Sequence, residues 1–456
     1  MALSVLADST SIADTFTHGN DYFVVRAILI EGNKRTRPEF ILRELPFKSG
    51  DGYLLSDLVK KFETGRRQLM NTALFHEVIV SLKRSEGYEV DVQVQVKERW
   101  YIFPIPYFKP VDRNLNQWLI EQKASLKRVN YGIKLMYNNV TGRNDKLRFW
   151  LISGYTRQFS FSYDRLYFDK QMKWGFNTGF NMGKNREMNY NTVDGKQLFF
   201  SSDDYIRKFM SGYAELTYRR AIRTRHRFGF AYTREDVADT VLKLNPDYFH
   251  SGRRRIEYPE VYYTMSYYDL DYIPYPTKGF AAEINLVKKG INKAMNLWQL
   301  SLKGSGNWPV SEKTFFSLNA FGTVKLPFKQ AYYNRRLLGY SDVFIQGYEY
   351  YVIDGAAGGY LKAALTRKLF NFDLRIPGTK NLAPRRVPFN IYGKIFGNTG
   401  YVYNPYPGDR FLANQMLYSA GFGLDITTIY DFTMKIEWSF NQIGQNGLFL
   451  HRKSVF

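Results

Sequence analysis

The sequence predicts a mainly β protein, in which a sixteen-stranded antiparallel transmembrane β-barrel follows one small α/β domain. Aromatic residues make up 17% of the chain, with 36 Tyr and 36 Phe, more than a globular core needs. From about residue 100 onward, segments of about ten residues alternate apolar and polar side chains between Gly, Asn, Asp and Pro turns, as barrel strands do. Residues 22–99 have a different pattern, in the order β-α-α-β-β.

The hydropathy of the chain excludes a helical membrane protein. A transmembrane helix needs about 18 or more consecutive apolar residues, and the sequence contains no such run. A closed β-sheet can cross lipid, because closure gives every backbone N–H and C=O a partner. Since a barrel strand is apolar on one face only, the mean hydropathy of -0.39 agrees with a barrel.

Cysteine content and charge narrow the functional classes. The chain has no cysteine, which excludes disulfide frameworks, thiolate catalysis and sulfur-ligated metal centres.

The formal net charge of the chain is +22, but Lys and Arg are scattered through almost every segment. Nucleic-acid binding usually concentrates them on one face, so we expect no nucleic-acid partner. A basic lumen, basic loops and contact with phosphate-bearing lipid explain the charge better.

The N-terminal residues 1–21 are predicted to be a disordered tether or the remnant of a signal sequence. Met1–Ala7 is apolar and Asp8 follows it. This stretch is too short for a secretory signal and lacks the basic region that precedes the apolar part of one.

The small domain is predicted over residues 22–99. Val24–Ile30 is an apolar, β-branched run that stops at Gly32-Asn33, a turn signal. Thr36 before Pro38 indicates a helix start, with a hydroxyl cap and a proline in the first turn. The remaining elements are a helix over residues 54–70, a strand over 75–82, a turn at 86–87 and a strand over 89–97.

The barrel is predicted over residues 100–456, with about sixteen strands, an even number as in single-chain bacterial barrels. The strands are expected to begin near Tyr101, Val129, Lys146, Gln158, Lys173, Phe209, His226, Ile256, Phe280, Asn296, Thr314, Gly358, Phe389, Gln415, Phe432 and Gly447. A soluble β-sandwich is the alternative, but about 350 residues in one such domain would be unusual.

Two stretches of the small domain, Ile30–Thr36 and Asn71–Val78, resemble a POTRA domain. POTRA is the periplasmic module of the BamA/TamA outer-membrane assembly superfamily, and the rest of the chain resembles the surface-antigen barrel of that superfamily. The proline-stiffened turn at 269–279 is similar to a periplasmic hairpin of these barrels, and a terminal aromatic residue is their assembly signal. The residues concerned are Asp269, Asp271, Pro276 and Gly279 in the turn and Phe456 at the C-terminus.

The resemblance also implies a loop that folds into the lumen, here at about residues 325–357, between the eleventh and twelfth strands. Relatives carry a Val-Arg-Gly-Phe/Tyr motif in this loop, and its arginine pairs with an acidic residue of a Phe-x-Asp-x-Gly motif on the barrel wall. This chain has Ile345, Gln346, Gly347, Tyr348 and Glu349 in the loop, and Phe396, Asn398 and Gly400 on the wall.

Both charged partners of the family motif are therefore replaced by amides. A buried arginine without its carboxylate would cost several kcal/mol, whereas two amides can hydrogen-bond without an ionic desolvation penalty. We expect Gln346 to meet Asn398 inside the lumen. The alternative is that the motif has decayed and that packing of Tyr and Gly holds the loop.

The sequence predicts no enzyme, with no catalytic, metal-binding or cofactor-binding residues. The five histidines lack metal-ligand spacing. Asp269 and Asp271 could form an acid pair, but aspartates in tight turns usually cap backbone N–H groups. Gly355–Gly359 lacks the strand-turn-helix context of a phosphate loop. No candidate nucleophile has a base beside it.

The resemblance implies a factor for protein assembly or translocation, in the bacterial outer membrane with its POTRA domain in the periplasm. The implied partners are unfolded outer-membrane or secreted proteins, outer-membrane lipid including lipopolysaccharide, and other subunits of an assembly complex. A POTRA edge strand could add a client strand, and the seam between first and last strands could open, because Pro104 and Pro106 cannot donate to a ladder.

Two alternative functions remain open from the sequence. The chain could be an accessory barrel subunit or passive channel without insertase activity, which the single POTRA domain and the missing loop arginine favour. It could also be a dedicated secretion pore for one partner protein.

The barrel assignment predicts how the protein fractionates. We expect the full chain to stay with membranes until detergent is added, and to give a far-ultraviolet circular dichroism spectrum dominated by β-structure. The measurement is detergent extraction followed by circular dichroism. Solubility in water without detergent, or a mainly helical C-terminal region, would contradict the assignment.

Overall fold

The computed structural model describes residues 22–110, 126, 129–250, 252–340, 342–375, 386–406 and 411–452. The chain forms two compact units. The first contains the described residues up to Trp100 together with Asn139–Asn144, and the second contains the others. The prediction for Phe456 falls outside the described residues.

The first unit is a four-stranded sheet with two helices. Its elements are β1 (Tyr22–Glu31), α1 (Pro38–Glu44), β2 (Gly52–Leu54), α2 (Leu55–Met70), β3 (Phe75–Glu86) and β4 (Glu89–Glu98). The strand order is β2-β1-β4-β3, with β1 parallel to β4 and the other pairs antiparallel. The predicted α/β fold is confirmed, and β2 is an addition because three residues are too few to show a period.

The core of this unit follows the two periods seen in the sequence. Val90, Val92, Val94 and Val96 alternate along β4 and are buried. Leu58, Phe62 and Leu69 form the buried face of α2. Each such side chain stabilises the fold by about 1.5–3 kcal/mol through burial.

Thr36 does not cap α1 as the sequence suggested. The N-cap position is Arg37, which makes no side-chain cap, and Pro38 opens the helix. The backbone N–H of Thr36 donates to Glu98 (2.6 Å), and its hydroxyl accepts from Asn139 Nδ2 (3.0 Å). The hydroxyl is therefore used by the Asn139–Asn144 segment of the same unit, a partner distant in sequence.

The second unit is one sixteen-stranded antiparallel sheet. Its strands are β5 (Ile102–Pro110), β6 (Val129–Asn138), β7 (Lys146–Gly154), β8 (Thr156–Tyr167), β9 (Trp174–Asn185), β12 (Arg207–Tyr218), β13 (Thr224–Val237), β14 (Arg255–Leu270), β15 (Gly279–Asn292), β16 (Met295–Pro309), β17 (Thr314–Leu326), β20 (Ala357–Arg375), β21 (Arg386–Tyr403), β22 (Met416–Thr427), β23 (Thr433–Asn441) and β24 (Asn446–Arg452).

The predicted strand number is confirmed, and each strand pairs with the next one of this sheet along the chain. The structure also contains a hairpin that the sequence did not reveal, β10 (Glu187–Val193) with β11 (Lys196–Ser201). Two short helices, α3 (Asp239–Leu244) and α4 (Tyr332–Arg335), lie in connections between strands. Among the described residues, no helix is long and apolar enough to cross a membrane.

The sheet curls so that its two ends approach each other. Phe103 of β5 packs edge-to-face on Tyr430, in the turn between β22 and β23, with ring centroids 5.6 Å apart. Side chains alternate between the two faces of the sheet. Along β15, Phe280, Ile284 and Leu286 are exposed, and Ala281 between them is buried. The outward apolar face suits a hydrocarbon environment.

Two glycines of the first unit allow a matched test of backbone crowding. Gly32 and Gly87 both have positive φ (87° and 58°). A Cβ at Gly32 would lie 2.0 Å from the carbonyl oxygen of Val96, whereas a Cβ at Gly87 would meet no atom within 4 Å. We expect Gly87→Ala to cost about 1 kcal/mol of unfolding free energy, and Gly32→Ala about 3 kcal/mol or more.

The measurement is limited proteolysis of the N-terminal unit in the full-length protein at increasing urea concentrations. Equal losses of stability in the two variants would contradict the crowding at Gly32.

Candidate functional site

The segment between β17 and β20, the eleventh and twelfth strands of the barrel sheet, packs against the inner wall. It carries α4 and two short paired strands, β18 (Arg336–Leu338) and β19 (Ile353–Asp354). We call residues 327–356 the inner loop. An apolar cluster joins it to the wall and to the connection after β21, and its buried members are Leu337, Leu338, Ile345, Tyr348, Tyr351, Ile353, Val402, Leu412, Ala413 and Leu417.

Glycines allow the inner loop to approach the wall closely. A Cβ at Gly400 of β21 would lie 2.4 Å from Ile345 Cδ1. Gly347 has φ +90°, and a Cβ there would lie 3.1 Å from the Cβ of Ser419 on β22. Side chains at these two positions would therefore lift the loop away from the wall.

Hydrogen bonds from the motif residues hold the loop to β22 and β23. Gln346 Nε2 donates to Glu437 Oε1 (3.0 Å), and the hydroxyl of Tyr348 donates to the carbonyl of Tyr418 (3.0 Å). Asn441 Nδ2 donates to the carbonyl of Gly347 (2.6 Å). The loop is thus fixed by side-chain amides, a tyrosine and backbone groups.

The expected pairing of Gln346 with Asn398 needs correction. Asn398 Nδ2 donates to Ser419 Oγ (2.9 Å), and no hydrogen bond between Gln346 and Asn398 occurs among the described residues. The partner of Gln346 is the carboxylate of Glu437, which is buried. A buried carboxylate is a stronger acceptor than an amide, and this explains the choice.

A group of charged residues surrounds this contact, and we call it the lumen charge cluster: Glu349, Lys394, Asp425, Glu437 and His451. Lys394 Nζ lies 2.6 Å from Asp425 Oδ1 and also forms an ion pair with Glu437. His451 Nε2 lies 3.1 Å from Glu349 Oε1 and 3.4 Å from Glu437 Oε2. The cluster therefore joins the inner loop to four neighbouring strands, β21 to β24.

Lys394, the lysine of this cluster, belongs to the barrel wall and not to the inner loop. The side chain of Lys394 is only 4% exposed, and those of Asp425 and Glu437 are 4% and 1% exposed. Buried carboxylates need a paired cation, because the effective desolvation penalty is several kcal/mol per ion. With Lys394 in this role, the loop can present the neutral Gln346.

The sequence pattern around these residues already indicates that they face the lumen. Lys394, Phe396 and Asn398 alternate along β21 with exposed residues such as Ile395, and Lys435 and Glu437 follow the same period on β23. Charged residues at every second position of a barrel strand indicate the lumen face.

The turn between β14 and β15 reaches the same cluster. Asp271 accepts hydrogen bonds from the backbone N–H (3.0 Å) and hydroxyl (2.6 Å) of Thr277, and Asp269 pairs with Arg223 (2.8 Å). The hydroxyl of Tyr275 donates to Asp425 Oδ2 (3.0 Å). Asp271 therefore orders the turn, Asp269 pairs with a residue just before β13, and Tyr275 connects the turn to the lumen charge cluster.

Gly279 and Pro276 complete this turn. Gly279 has φ +102°, and a Cβ there would lie 1.9 Å from the carbonyl oxygen of Asp269. Pro276 lines a lumen cavity of about 450 Å³. The charged side chains around this cavity include Lys303, Lys362, Lys394, Lys435, Asp425 and Glu437. No group of three or more His, Asp or Glu side chains suited to a metal occurs in the described part of the chain.

The seam of the barrel is the remaining feature of the site. The ladder of the sixteen strands begins at β5 and ends at β24. Within the described residues, no backbone ladder joins these two strands to each other. The structure therefore has a seam with β5 on one side and β24, the strand that carries His451, on the other.

Together, the domain, the barrel sheet and the inner loop define a class of barrel with one POTRA-type domain and a lumen loop. A family model described as the Omp85 superfamily domain matches residues 139–429. A second model, the POTRA model described as a surface antigen variable number repeat, matches residues 23–99. The chain belongs to the Omp85 superfamily, and its residues 23–99 form a POTRA domain. Members of this family are outer-membrane barrels that act as transporters and assembly factors.

Solved structures agree with this fold. BamA from Haemophilus ducreyi lacking POTRA domains 1-3 is similar with a TM-score of 0.50 and 15% identity, covering 94% of this chain and 83% of that one. CdiB from Escherichia coli is similar with a TM-score of 0.52 and 12% identity, covering 94% of this chain and 75% of that one. No curated protein matches the sequence.

The lumen charge cluster predicts an order of mutational effects. Lys394→Met removes the lysine that pairs directly with two buried carboxylates, so we expect it to lower the unfolding free energy by about 3–5 kcal/mol. Gln346→Ala removes one hydrogen bond to a charged acceptor and should cost about 1.5–3 kcal/mol. The measurement is the urea midpoint of barrel unfolding in detergent, read as the loss of the fast-migrating folded band.

The control is Lys313→Met in the exposed turn after β16, which should change stability by less than about 0.5 kcal/mol. Adding Asp425→Asn and Glu437→Gln to Lys394→Met should restore much of the stability. A larger loss from Gln346→Ala than from Lys394→Met would contradict the assignment of Lys394 as the central cation.

Proposed function

We propose that this protein is an assembly or translocation factor for unfolded polypeptides, located in the bacterial outer membrane with its POTRA domain in the periplasm. Its clients would be outer-membrane or secreted proteins, which engage it as extended strands. Membership of the Omp85 superfamily supports the general role and the location. The observation that carries the client-handling role is the seam between β5 and β24, because a barrel sheet with a seam can receive another strand.

The POTRA sheet offers a second edge for strand addition. β3 is the outermost strand of the order β2-β1-β4-β3 and is 12 residues long. The backbone N–H of Arg99, which follows β4, donates to the carbonyl of Leu74, which precedes β3. The odd-numbered residues of β4 therefore direct their backbone hydrogen-bonding groups toward β3. Through the register, Ile79 opposes Gln95 and faces β4, whereas Val78 and Val80 direct their N–H groups to the outer edge.

Strand addition at such an edge tolerates many client sequences. Backbone hydrogen bonds supply the affinity, and side-chain pockets contribute less. A factor that handles many unfolded proteins needs this tolerance. The β3 edge therefore suits a first encounter with a client in the periplasm.

The inner loop has a place in this proposal because it contacts the last strand. Glu349 pairs with His451 of β24, and Phe344 stacks on the same histidine at 4.9 Å. Movement of the loop would change the support of β24 at the seam. Since Gln346 is neutral, its release from Glu437 leaves the ion pairs of Lys394 in place, and the release costs less than breaking an arginine pair.

The exposed surface supports residence in an outer membrane. Large apolar side chains are exposed along the strands, among them Phe228, Phe230, Leu302 and Ile395. The net charge of +22 favours contact with phosphate-bearing lipid, and we extend this to lipopolysaccharide. Other subunits of an assembly complex would be further partners.

A second candidate function is an accessory barrel that inserts no clients. The neutral residue Gln346 favours it, since the family motif described above has an arginine at this position. An accessory subunit would need its loop only as a structural plug. The two candidates differ in whether clients accumulate when the protein is absent.

Depletion of the protein in its native cells tests the proposal. We expect the outer-membrane content of other barrels, or of a set of exported proteins, to fall while unfolded precursors accumulate in the periplasm. The measurement is quantitative mass spectrometry of outer-membrane and periplasmic fractions. An unchanged protein content would contradict the proposal and leave the accessory role, and loss of one exported protein alone would identify a dedicated pore.

Complementation with matched variants tests strand addition at β3. Val80→Pro removes one edge N–H, whereas Val80→Thr keeps that N–H and a β-branched side chain. We expect Val80→Pro to reduce the recovery of barrel content several-fold and Val80→Thr to complement fully. Equal complementation by two folded variants would argue against the β3 edge as a client site.

A further inference from the structure

A group of cations around one aromatic ring lies at one end of the barrel sheet. We call it the rim cation cluster, and it consists of Arg157, Lys184, Arg186 and Lys208 together with Tyr205. The Cζ of Arg157, the Nζ of Lys184 and the Cζ of Arg186 lie 5.7, 4.3 and 5.1 Å from the centroid of the Tyr205 ring. Three cations therefore share one ring, which can balance only part of their charge.

The strand register places like charges of this cluster directly opposite each other. Lys184 of β9 lies opposite Arg157 of β8 and also opposite Lys208 of β12. The Cβ atoms of directly opposed residues are about 5 Å apart, and like charges at such positions destabilise a sheet. A row of three cations across three strands therefore costs stability unless an anion lies beside it.

The described part of the chain does not supply that anion. Among its residues, no Asp or Glu forms an ion pair with a cation of the rim cation cluster, and this includes the two exposed aspartates at 203–204. Asp236 lies opposite Lys208 in the register, but it pairs with Arg234 (3.4 Å) and Arg255 (2.5 Å). The next cations along this rim thus have a carboxylate, whereas those of the cluster have none.

Two polar atoms of the cluster can donate a hydrogen bond but have no acceptor. The hydroxyl of Tyr205 and the Nε of Arg186 are buried, and neither has a hydrogen-bond partner within the described ranges. A buried donor without an acceptor costs free energy. An anionic oxygen would satisfy both donors, and rotation of the long side chains of Arg157 and Lys184 would admit it.

The rim cation cluster belongs to the outer, apolar face of the sheet. Side chains two residues apart on a strand share a face. Met182 precedes Lys184 by two residues and is 47% exposed, and Met210 follows Lys208 by two residues and is 38% exposed. The cations therefore continue the lipid-facing surface at its edge, where hydrocarbon gives way to headgroups.

Strand order identifies the end of the barrel that carries the cluster. β8, β12 and β14 are the fourth, sixth and eighth strands of an antiparallel sheet, so they run in the same direction. The starts of β8 and β12 therefore lie at the end opposite the turn at 269–279, which follows β14. Since that turn is similar to a periplasmic hairpin, the cluster lies at the end that meets the outer leaflet.

We propose that the rim cation cluster binds the phosphate-bearing headgroup of an outer-leaflet glycolipid, lipopolysaccharide. This inference rests on the outer-membrane location in the proposed function and adds a lipid-binding site to it. β8 and β12 are two strand spacings apart, about 10 Å, so their cations can meet more than one anionic group. A phospholipid with one phosphate would occupy only part of the cluster, and this favours a glycolipid headgroup with several anionic groups.

Titration of the folded full-length protein with lipid A, the phosphorylated lipid part of lipopolysaccharide, tests the proposal. The probe is diphosphoryl lipid A in neutral detergent, and native mass spectrometry measures the bound lipid. We expect Arg157→Gln, Lys184→Gln and Lys208→Gln each to weaken binding about fivefold, the factor for one cation beside anionic lipid. Lys313→Gln removes one exposed lysine in the turn after β16, at the other end of the sheet, and should leave binding unchanged.

Tyr205→Phe separates lipid binding from folding. This variant keeps the ring that the cations contact and removes a hydroxyl that has no acceptor in the described part of the chain. We therefore expect the unfolding temperature without lipid, read from the fast-migrating folded band, to be unchanged. Binding of lipid A should weaken about tenfold, because a hydrogen bond to a charged acceptor is lost. A lower unfolding temperature with unchanged affinity would contradict the site.

Three further ligands identify the source of the anion. Lipid A without its phosphates, phosphatidylglycerol and inorganic phosphate should each bind about tenfold more weakly than diphosphoryl lipid A. Equal binding of phosphatidylglycerol or inorganic phosphate would overturn the assignment to a glycolipid, and equal binding of lipid A without phosphates would overturn the role of the cations. Lipid A binding that the three Gln variants leave unchanged would overturn the site. Depletion measures client accumulation and not lipid binding, so this inference and the proposed function can fail separately.

Discussion

The central constraint on this protein is that each barrel strand must satisfy its backbone groups through its two neighbours. In hydrocarbon, an N–H or C=O without a partner costs several kcal/mol, so strand length, register and strand number are linked. Fifteen strand pairings in chain order meet this constraint from β5 to β24. The seam is the place where the constraint is relaxed, and the prolines of β5 lie there.

The inner loop and the lumen charge cluster stabilise the wall next to this seam. Lys394 holds two carboxylates on neighbouring strands, and Tyr275 adds the turn between β14 and β15. The loop contributes Gln346 and Glu349, the second of which contacts β24 through His451. With the cation on the wall, Asp425 and Glu437 have an ionic partner that does not belong to the loop. The neutral amide of Gln346 thus attaches the loop without adding a charge to the wall.

Most of the fold could be predicted from local patterns. Alternation and turn residues located the strands, because a barrel strand has a strict period of two and needs Gly, Asn, Asp or Pro between strands. The valines of β4 identified one of the two central POTRA strands in the same way. The missed elements were short or local: β2 has three residues, and the β10-β11 hairpin extends a connection between barrel strands. The cap of α1 was predicted wrongly because Thr36 bonds to Asn139, a residue distant in sequence.

The candidate site, like the fold, was predicted from the sequence only in part. The sequence, through its resemblance to the family, predicted a lumen loop with Gln346 and a wall motif with Asn398. The tertiary structure alone decided that Gln346 bonds to Glu437 and that Lys394 provides the cation. Pairing across strands depends on register and curvature, which accumulate over many residues, whereas alternation within one strand is set by its own backbone.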